Sequence, residues 1–166
     1  MSDQQCIDEI IDGINAGLSL MKIEMQFQTV DVNLTGRHGR TPLMSAVVKG
    51  SIQIVESLVR NGALLQASGF KQLTALHEAS AHGEVEIAKY LISLGAVIDA
   101  VSDDGVTPLM CAAAAGNTGA VELLLRSGAD WRKKESKGAT ASDIAREKDE
   151  DSTADLIDSW SKRHER

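Results

Sequence analysis

Aromatic side chains are scarce in this chain: two Phe, two Trp and one Tyr, 3% of 166 residues. A core organised around stacked rings is excluded. With 43% hydrophobic residues, the interior must be assembled from Leu, Ile, Val and Ala, which lets helices approach closely. Cysteine is equally sparse. Cys6 and Cys111 are the only two and no C-x-x-C occurs, so there is neither a disulfide framework nor a zinc motif. A reduced, cytoplasmic protein is the expectation. Positive charge is in deficit: the formal net charge is -7 and the pI about 5.0. That disfavours a nucleic-acid or anionic-membrane partner, both of which need a basic face. No apolar run approaches the ~20 residues that span a bilayer. Residues 1–12 are acidic and lack a signal-peptide pattern. Asn33-Leu34-Thr35 matches a glycosylation sequon, which without an export signal reads as coincidence.

What the chain does have is a beat. Thr41-Pro42-Leu43-Met44 recurs as Thr107-Pro108-Leu109-Met110, and Thr74-Ala75-Leu76-His77 falls midway. The step is 33 residues, and Thr140-Ala141 follows one step later. Glycines keep time in two slots, Gly50, Gly83 and Gly116, then Gly62, Gly95 and Gly128. Apolar residues do so in three: Val55, Ala88 and Val121; Leu58, Leu91 and Leu124; Val59, Ile92 and Leu125. A single tetrapeptide is a weak signal, but several slots in phase over three units are not chance. A Thr-Pro-Leu start repeated every 33 residues resembles the ankyrin repeat. The resemblance implies an all-α, ankyrin-repeat solenoid of stacked helix-turn-helix units joined by hairpin loops, each unit touching only its neighbours.

The period divides the chain into an N-terminal capping repeat (6–33), three full repeats (34–66, 67–99 and 100–132), a C-terminal capping repeat (133–160) and a basic tail (161–166) that should fray. Residues 6–28 keep the glycine slot at Gly17 but lack Thr-Pro-Leu. With a constant step, Ile10 aligns with Leu43, Met21 with Ile54, and Met25 with Leu58. Asp8, Glu9, Asp12, Lys22, Glu24, Gln26 and Gln28 would then form a polar outer face. In the full repeats Thr41 and Thr107 are placed to cap a first helix whose N1 residue is proline. That helix covers 42–49 in the first unit and stops at Gly50; a second follows over about 51–60. The second repeat has Gln72 where the others have Gly39, Gly105 and Gly138. A positive φ is strained for Gln, so this finger should differ in shape. In the last unit Ile144, Ala145, Ala154 and Ile157 face inward, Asp149 fills the glycine slot, and Trp160 packs across the end of the stack.

Candidate chemistry is thin. His77-Glu78 with His82 approaches H-E-x-x-H but misses by one residue, so the histidines do not share a helix face. In the ankyrin pattern the His77 position links to Thr74 and the adjacent hairpin; Met44 and Met110 replace it with a flexible apolar chain. Cys111 reads as a structural thiol. Asp103-Asp104-Gly105 lacks the further ligands of a calcium loop. No catalytic, cofactor or metal residues are assigned.

The positions left free for recognition are the hairpin tips and the exposed sides of the first helices. The tips carry Arg37, His38 and Arg40; Phe70, Lys71 and Leu73; Asp103, Asp104 and Val106; and 134–137. The first helices add Ser45, Val48 and Lys49; Glu78, Ala81 and His82; Cys111, Ala114 and Ala115. They should line one concave surface, with a basic first finger and an acidic third. Phe70 either packs on the next finger or awaits a partner. The function the resemblance implies is that of a non-enzymatic, monomeric module that binds a partner protein as an adaptor or inhibitor. An immunity-type inhibitor neutralising a toxin or enzyme is one form of it. A metal-dependent enzyme, resting on His77 and His82, is the opposing class.

Overall fold

The computed structural model describes residues 3–27 and 30–164 and contains only helices, turns and loops among them. The chain divides into two compact units, Met1–Ala75 and Leu76–Arg166.

In the first unit, α1 (Asp3–Asn15) pairs with α2 (Leu20–Phe27), and α3 (Pro42–Val48) with α4 (Ile52–Arg60). First helix lies on first helix, α1 on α3, and second on second, α2 on α4. Thr41 starts α3 as its sequence demands: its Oγ1 accepts the Met44 N–H at 3.2 Å and Pro42 follows at the first helical turn. Lys49 Nζ then donates to the Asn15 carbonyl at 3.1 Å, tying α3 to the end of α1. Asn33 clips the loops together, its Oδ1 accepting the Leu64 N–H at 2.7 Å and its Nδ2 donating to Gly62 O at 3.1 Å.

The second unit repeats the plan. Here α5 (Ala75–His82) and α6 (Val85–Ser93) precede α7 (Pro108–Ala114), α8 (Thr118–Arg126), α9 (Ala141–Glu147) and α10 (Asp151–His164). α7 packs on α9, α6 on α8 and α8 on α10. Thr107 and Thr140 cap α7 and α9; Asp143 completes a capping box, accepting the Thr140 N–H at 3.0 Å. Asp99 does for Asp130 what Asn33 does for Leu64, accepting its N–H at 3.1 and 3.2 Å. The periodic core slots are filled as expected: Val55, Ala88, Val121, Leu58, Leu91 and Leu124 are all completely buried. Val59 and Ile92 are only half-buried. Asp149 takes the left-handed conformation of the glycine it replaces, at φ 62°.

Three expectations are corrected. In the N-terminal cap the constant step fails after Leu18. Ser19 O accepts the Ile23 N–H as Ser51 O accepts the Val55 N–H, so the offset drops to 32 and one extra residue precedes α2. One residue turns a helix by about 100°. Ile23 and Phe27 are therefore buried, while Met21 and Met25 stand 74% and 73% exposed. Glu24 is half-buried and accepts the Ser57 hydroxyl; Gln28 lies outside the described residues. The tail does not fray at 161: α10 runs on to His164, whose imidazole stacks on the Trp160 ring at 4.3 Å. Trp160 itself is half-buried, beside Glu122 and Arg126 of α8.

Leu91 has no exposure while Leu18 is 43% exposed. We expect Leu91→Ala to cost ~2–5 kcal/mol and Leu18→Ala far less. Chemical denaturation of both variants checks this; equal losses would refute the assigned register.

Candidate protein-interaction surface

Each hairpin finger is closed by the same backbone bond, at the 33-residue step. The N–H groups of Gly36, Gly69, Ser102 and Glu135 donate to the carbonyls of Arg40, Leu73, Val106 and Ala139 at 2.8–3.0 Å. A second bond returns from Gly39, Gln72, Gly105 and Gly138 to the first residue of the same set. These residues sit at the left-handed corner of each tip. Glycine accepts that backbone freely. Gln72 does not, yet its φ is 59°, and that of Lys71 is 57°. The expected distortion is present: Phe70–Gln72 forms a single 3₁₀ turn. Two consecutive left-handed residues with side chains store ~1–2 kcal/mol each.

In the first unit the fingers are bound to each other. Phe70 N–H donates to Gly39 O at 2.6 Å. A Cβ on Gly69 would lie 2.2 Å from the same Gly39 oxygen, so only glycine allows this approach. The Phe70 backbone is thus held against the first finger while its ring is 68% exposed. Leu73, expected to be exposed beside it, is half-buried; Lys71, His38 and Arg40 are exposed. Arg37 is exposed but committed: its Nε meets Asp8 Oδ2 at 3.2 Å and its Nη2 meets Asp12 Oδ2 at 2.8 Å, while its N–H donates to Asp8 Oδ1 at 2.7 Å. The basic character expected of this finger is partly cancelled by α1.

In the second unit Asp103 and Asp104 are exposed at the third tip, Val106 is half-buried, and Asp104 O accepts the Ser136 N–H at 2.8 Å. Glu78 is not on the surface; it is 8% exposed. The reason is its slot. Ser45, Glu78 and Cys111 occupy one repeat position beneath the accessible side of the first helix, whereas Lys49, His82 and Ala115 lie outside. Sequence spacing placed these residues on the right helix but could not resolve depth. The exposed apolar Val97 and Val101, 51% and 54% exposed, were missed: they lie in irregular loops where no periodicity marks a face.

The two histidines are engaged locally. His77 is buried, with Nε2 3.1 Å from Val106 O, the expected tie to a hairpin. His82 places Nδ1 3.0 Å from Glu78 O. Met110, in the histidine's slot one repeat on, keeps a weak polar contact, its Sδ 3.4 Å from Thr107 N. Burial, with the Glu78 charge, pushes the Cys111 thiol up to about 12, so it stays protonated at neutral pH. Among the described residues no group of three or more His, Cys, Asp and Glu is arranged to hold a metal. No helix there is long and apolar enough to cross a membrane.

Burial also lowers the His77 pKa below 6.5, against the opposing pull of the Val106 and Ala100 carbonyls and of Glu78. The folded state therefore prefers neutral His77, and the unfolded state binds the extra proton. Its stability contribution is full above about 6.5 and is lost as pH falls below it. The melting temperature should drop over this window, and the drop should shrink in His77→Gln. Parallel profiles for the two proteins would contradict the assignment.

Comparison with known families agrees with this architecture. Ankyrin repeats (3 copies) match residues 63–135, and a single ankyrin repeat matches residues 38–69. No curated protein matches the chain. The matched stretch covers more than half of the 166 residues, carries the 33-residue period and coincides with the Thr-capped helix pairs and closed fingers described above. This all-α chain belongs to the ankyrin-repeat family, whose repeats serve as protein–protein interaction modules.

Proposed function

We propose that the protein works without catalysis, by binding a partner protein through its hairpin tips and the accessible sides of its first helices, as an adaptor or as an inhibitor that covers a partner's site. The observation that carries this reading is Phe70. A large aromatic ring, 68% exposed, projects from a finger whose backbone is pinned by the Phe70–Gly39 and Gly69–Leu73 bonds. Stored strain at Lys71 and Gln72 is tolerated beneath it. A rigidly mounted aromatic loses little conformational entropy when it is buried, which is why such residues dominate interface hot spots. The exposed side chains of the tips, Phe70, Lys71, Asp103 and Asp104 among them, lie outside the helix core and are free to differ in sequence. The second-helix backs instead carry the core residues, with charges such as Glu86 and Glu122 exposed between them.

Charge adds orientation. The first tip carries His38 and Arg40, the third Asp103 and Asp104, a pattern that acts on association rate more than on affinity. A protonated Cys111 and a His77 ring engaged with Val106 support a structural over a catalytic role for both. On this reading the protein acts as a monomer on a protein partner, without nucleic acid, membrane or cofactor.

The test begins with affinity capture of a partner from the native source. Calorimetry then compares Phe70→Ala with Glu86→Ala. Phe70→Ala should weaken binding by ~2 kcal/mol or more with little change in melting temperature. Greater damage from the Glu86 change would reject the tips as the binding surface. Gln72→Gly should raise stability by about 1 kcal/mol, and unchanged or lower stability would show that the turn is not strained.

A further inference from the structure

In the second unit α8 and α10 pack on each other and frame an open pocket of about 440 Å³, lined by Glu122, Arg126, Leu156, Trp160 and Arg163. Its apolar side is Leu156 and Trp160, both half-buried. The indole is held in place. His164 stacks on it at 4.3 Å with the ring planes 14° apart, and His164 Nδ1 lies 2.8 Å from Trp160 O. An aromatic side chain fixed in advance loses little conformational entropy when a ligand covers it.

The polar side carries two guanidinium groups that the fold leaves uncommitted. Arg163 is anchored through Nε, which donates to Ser159 O at 3.0 Å, and its two terminal nitrogens bond to none of the described residues. Arg126 makes no hydrogen bond or ion pair among them. Glu122 precedes Arg126 by four residues, the spacing at which helical neighbours pair, yet no ion pair joins them. Asp158 of α10 does not supply the missing acid, because Arg146 and Ser142 already hold its carboxylate. The pocket walls therefore bear two positive charges and one negative, none neutralised by contact.

These walls select an occupant. A planar guanidinium fork matches a carboxylate, Trp160 and Leu156 match a large apolar group, and Glu122 can accept a hydrogen bond from an N–H. A monoanion balances the surplus positive charge. A zwitterion would set an ammonium beside two guanidinium groups and leave the surplus standing. A carboxylate, a neutral N–H and a large apolar side chain on one carbon are the last residue of a peptide chain. We infer that the pocket receives the C-terminal residue of a protein partner. Its α-carboxylate lies on Arg126 and Arg163, its side chain against Trp160 and Leu156, and its N–H donates to Glu122. The pocket is built from second helices alone, so it is separate from the tip surface proposed above and is tested without it.

The isotope-labelled full chain is titrated by NMR, at fixed pH and ionic strength, with N-acetylleucine, which reproduces such a terminal residue. Each comparison probe changes one feature. N-acetylleucine amide lacks the charge, N-acetylalanine lacks the large side chain, and free leucine replaces the neutral N–H with an ammonium. N-acetylleucine should shift the Trp160 indole N–H and the Nε–H signals of Arg126 and Arg163 saturably. It should bind roughly tenfold or more tightly than its amide, as hydrogen bonds between charged groups imply, and more tightly than N-acetylalanine or leucine. Arg126→Gln and Arg163→Gln should each abolish most of the preference for N-acetylleucine over its amide. The melting temperature should not change, because both side chains are exposed. Lys148→Gln, at the exposed end of α9, should leave the preference intact. The inference is overturned if no probe gives a saturable shift, or if the amide or N-acetylalanine binds as tightly as N-acetylleucine. Leucine binding as tightly would overturn it in favour of a free amino acid. A preference that survives either arginine substitution also overturns it, as does an equal loss in Lys148→Gln, which would reduce the effect to net charge.

Discussion

Short helices need neighbours. The paired helices of the full repeats are seven to nine residues long, below the ~12–15 residues at which an isolated helix is even marginal in water. None can persist unless its apolar side is covered by the next, and that requirement organises both units. It explains why Leu58, Leu91 and Leu124 have no exposure, and why the first and last helices of the chain, α1 and α10, reach 13 and 14 residues: longer helices lean less on a neighbour. Burial alone does not set the direction in which each short helix starts and stops. That falls to the threonine caps and to polar clips such as Asn33 on Leu64 and Asp99 on Asp130.

The fingers extend the same logic to backbone. Their bonds are local and repeated, so each tip is held by its own closure and by the finger beside it within the unit, Phe70 to Gly39 in the first and Ser136 to Asp104 in the second. Side chains at the tips are thereby relieved of structural duty. The first unit uses that freedom in two ways. Phe70 is presented outward, and Arg37 is turned back onto Asp8 and Asp12, where it shapes a pocket wall rather than offering an unopposed charge. The Arg37–Asp12 pair, exposed on both sides, contributes little to stability; its consequence is geometric.

One repeat position shows how a repeated scaffold carries different chemistry. Ser45, Glu78 and Cys111 fall in the same slot. In the first unit the slot holds an orphaned hydroxyl. In the second it holds a buried carboxylate and a thiol, and the carboxylate helps raise the thiol's pKa. Three side chains of different polarity are accepted because the slot lies beneath the accessible side of a helix, where neither full solvation nor close apolar packing is imposed.

The repeat itself was legible from the chain alone, because its signals are local: threonine caps and prolines at helix starts, glycines at left-handed corners, and an apolar face recurring at a fixed step. The same locality made the strained finger readable from Gln72. What spacing could not supply was depth and rotation. A single extra residue before α2 turned Met21 and Met25 outward and brought Ile23 and Phe27 in, since a helix rotates by about 100° per residue while a sequence alignment moves by one. Whether Glu78 was a surface group, Arg37 a free charge or Ser45 an unmet donor depended on what lies against each of them. Those neighbours come from other helices or fingers, and only the packed chain brings them within bonding distance.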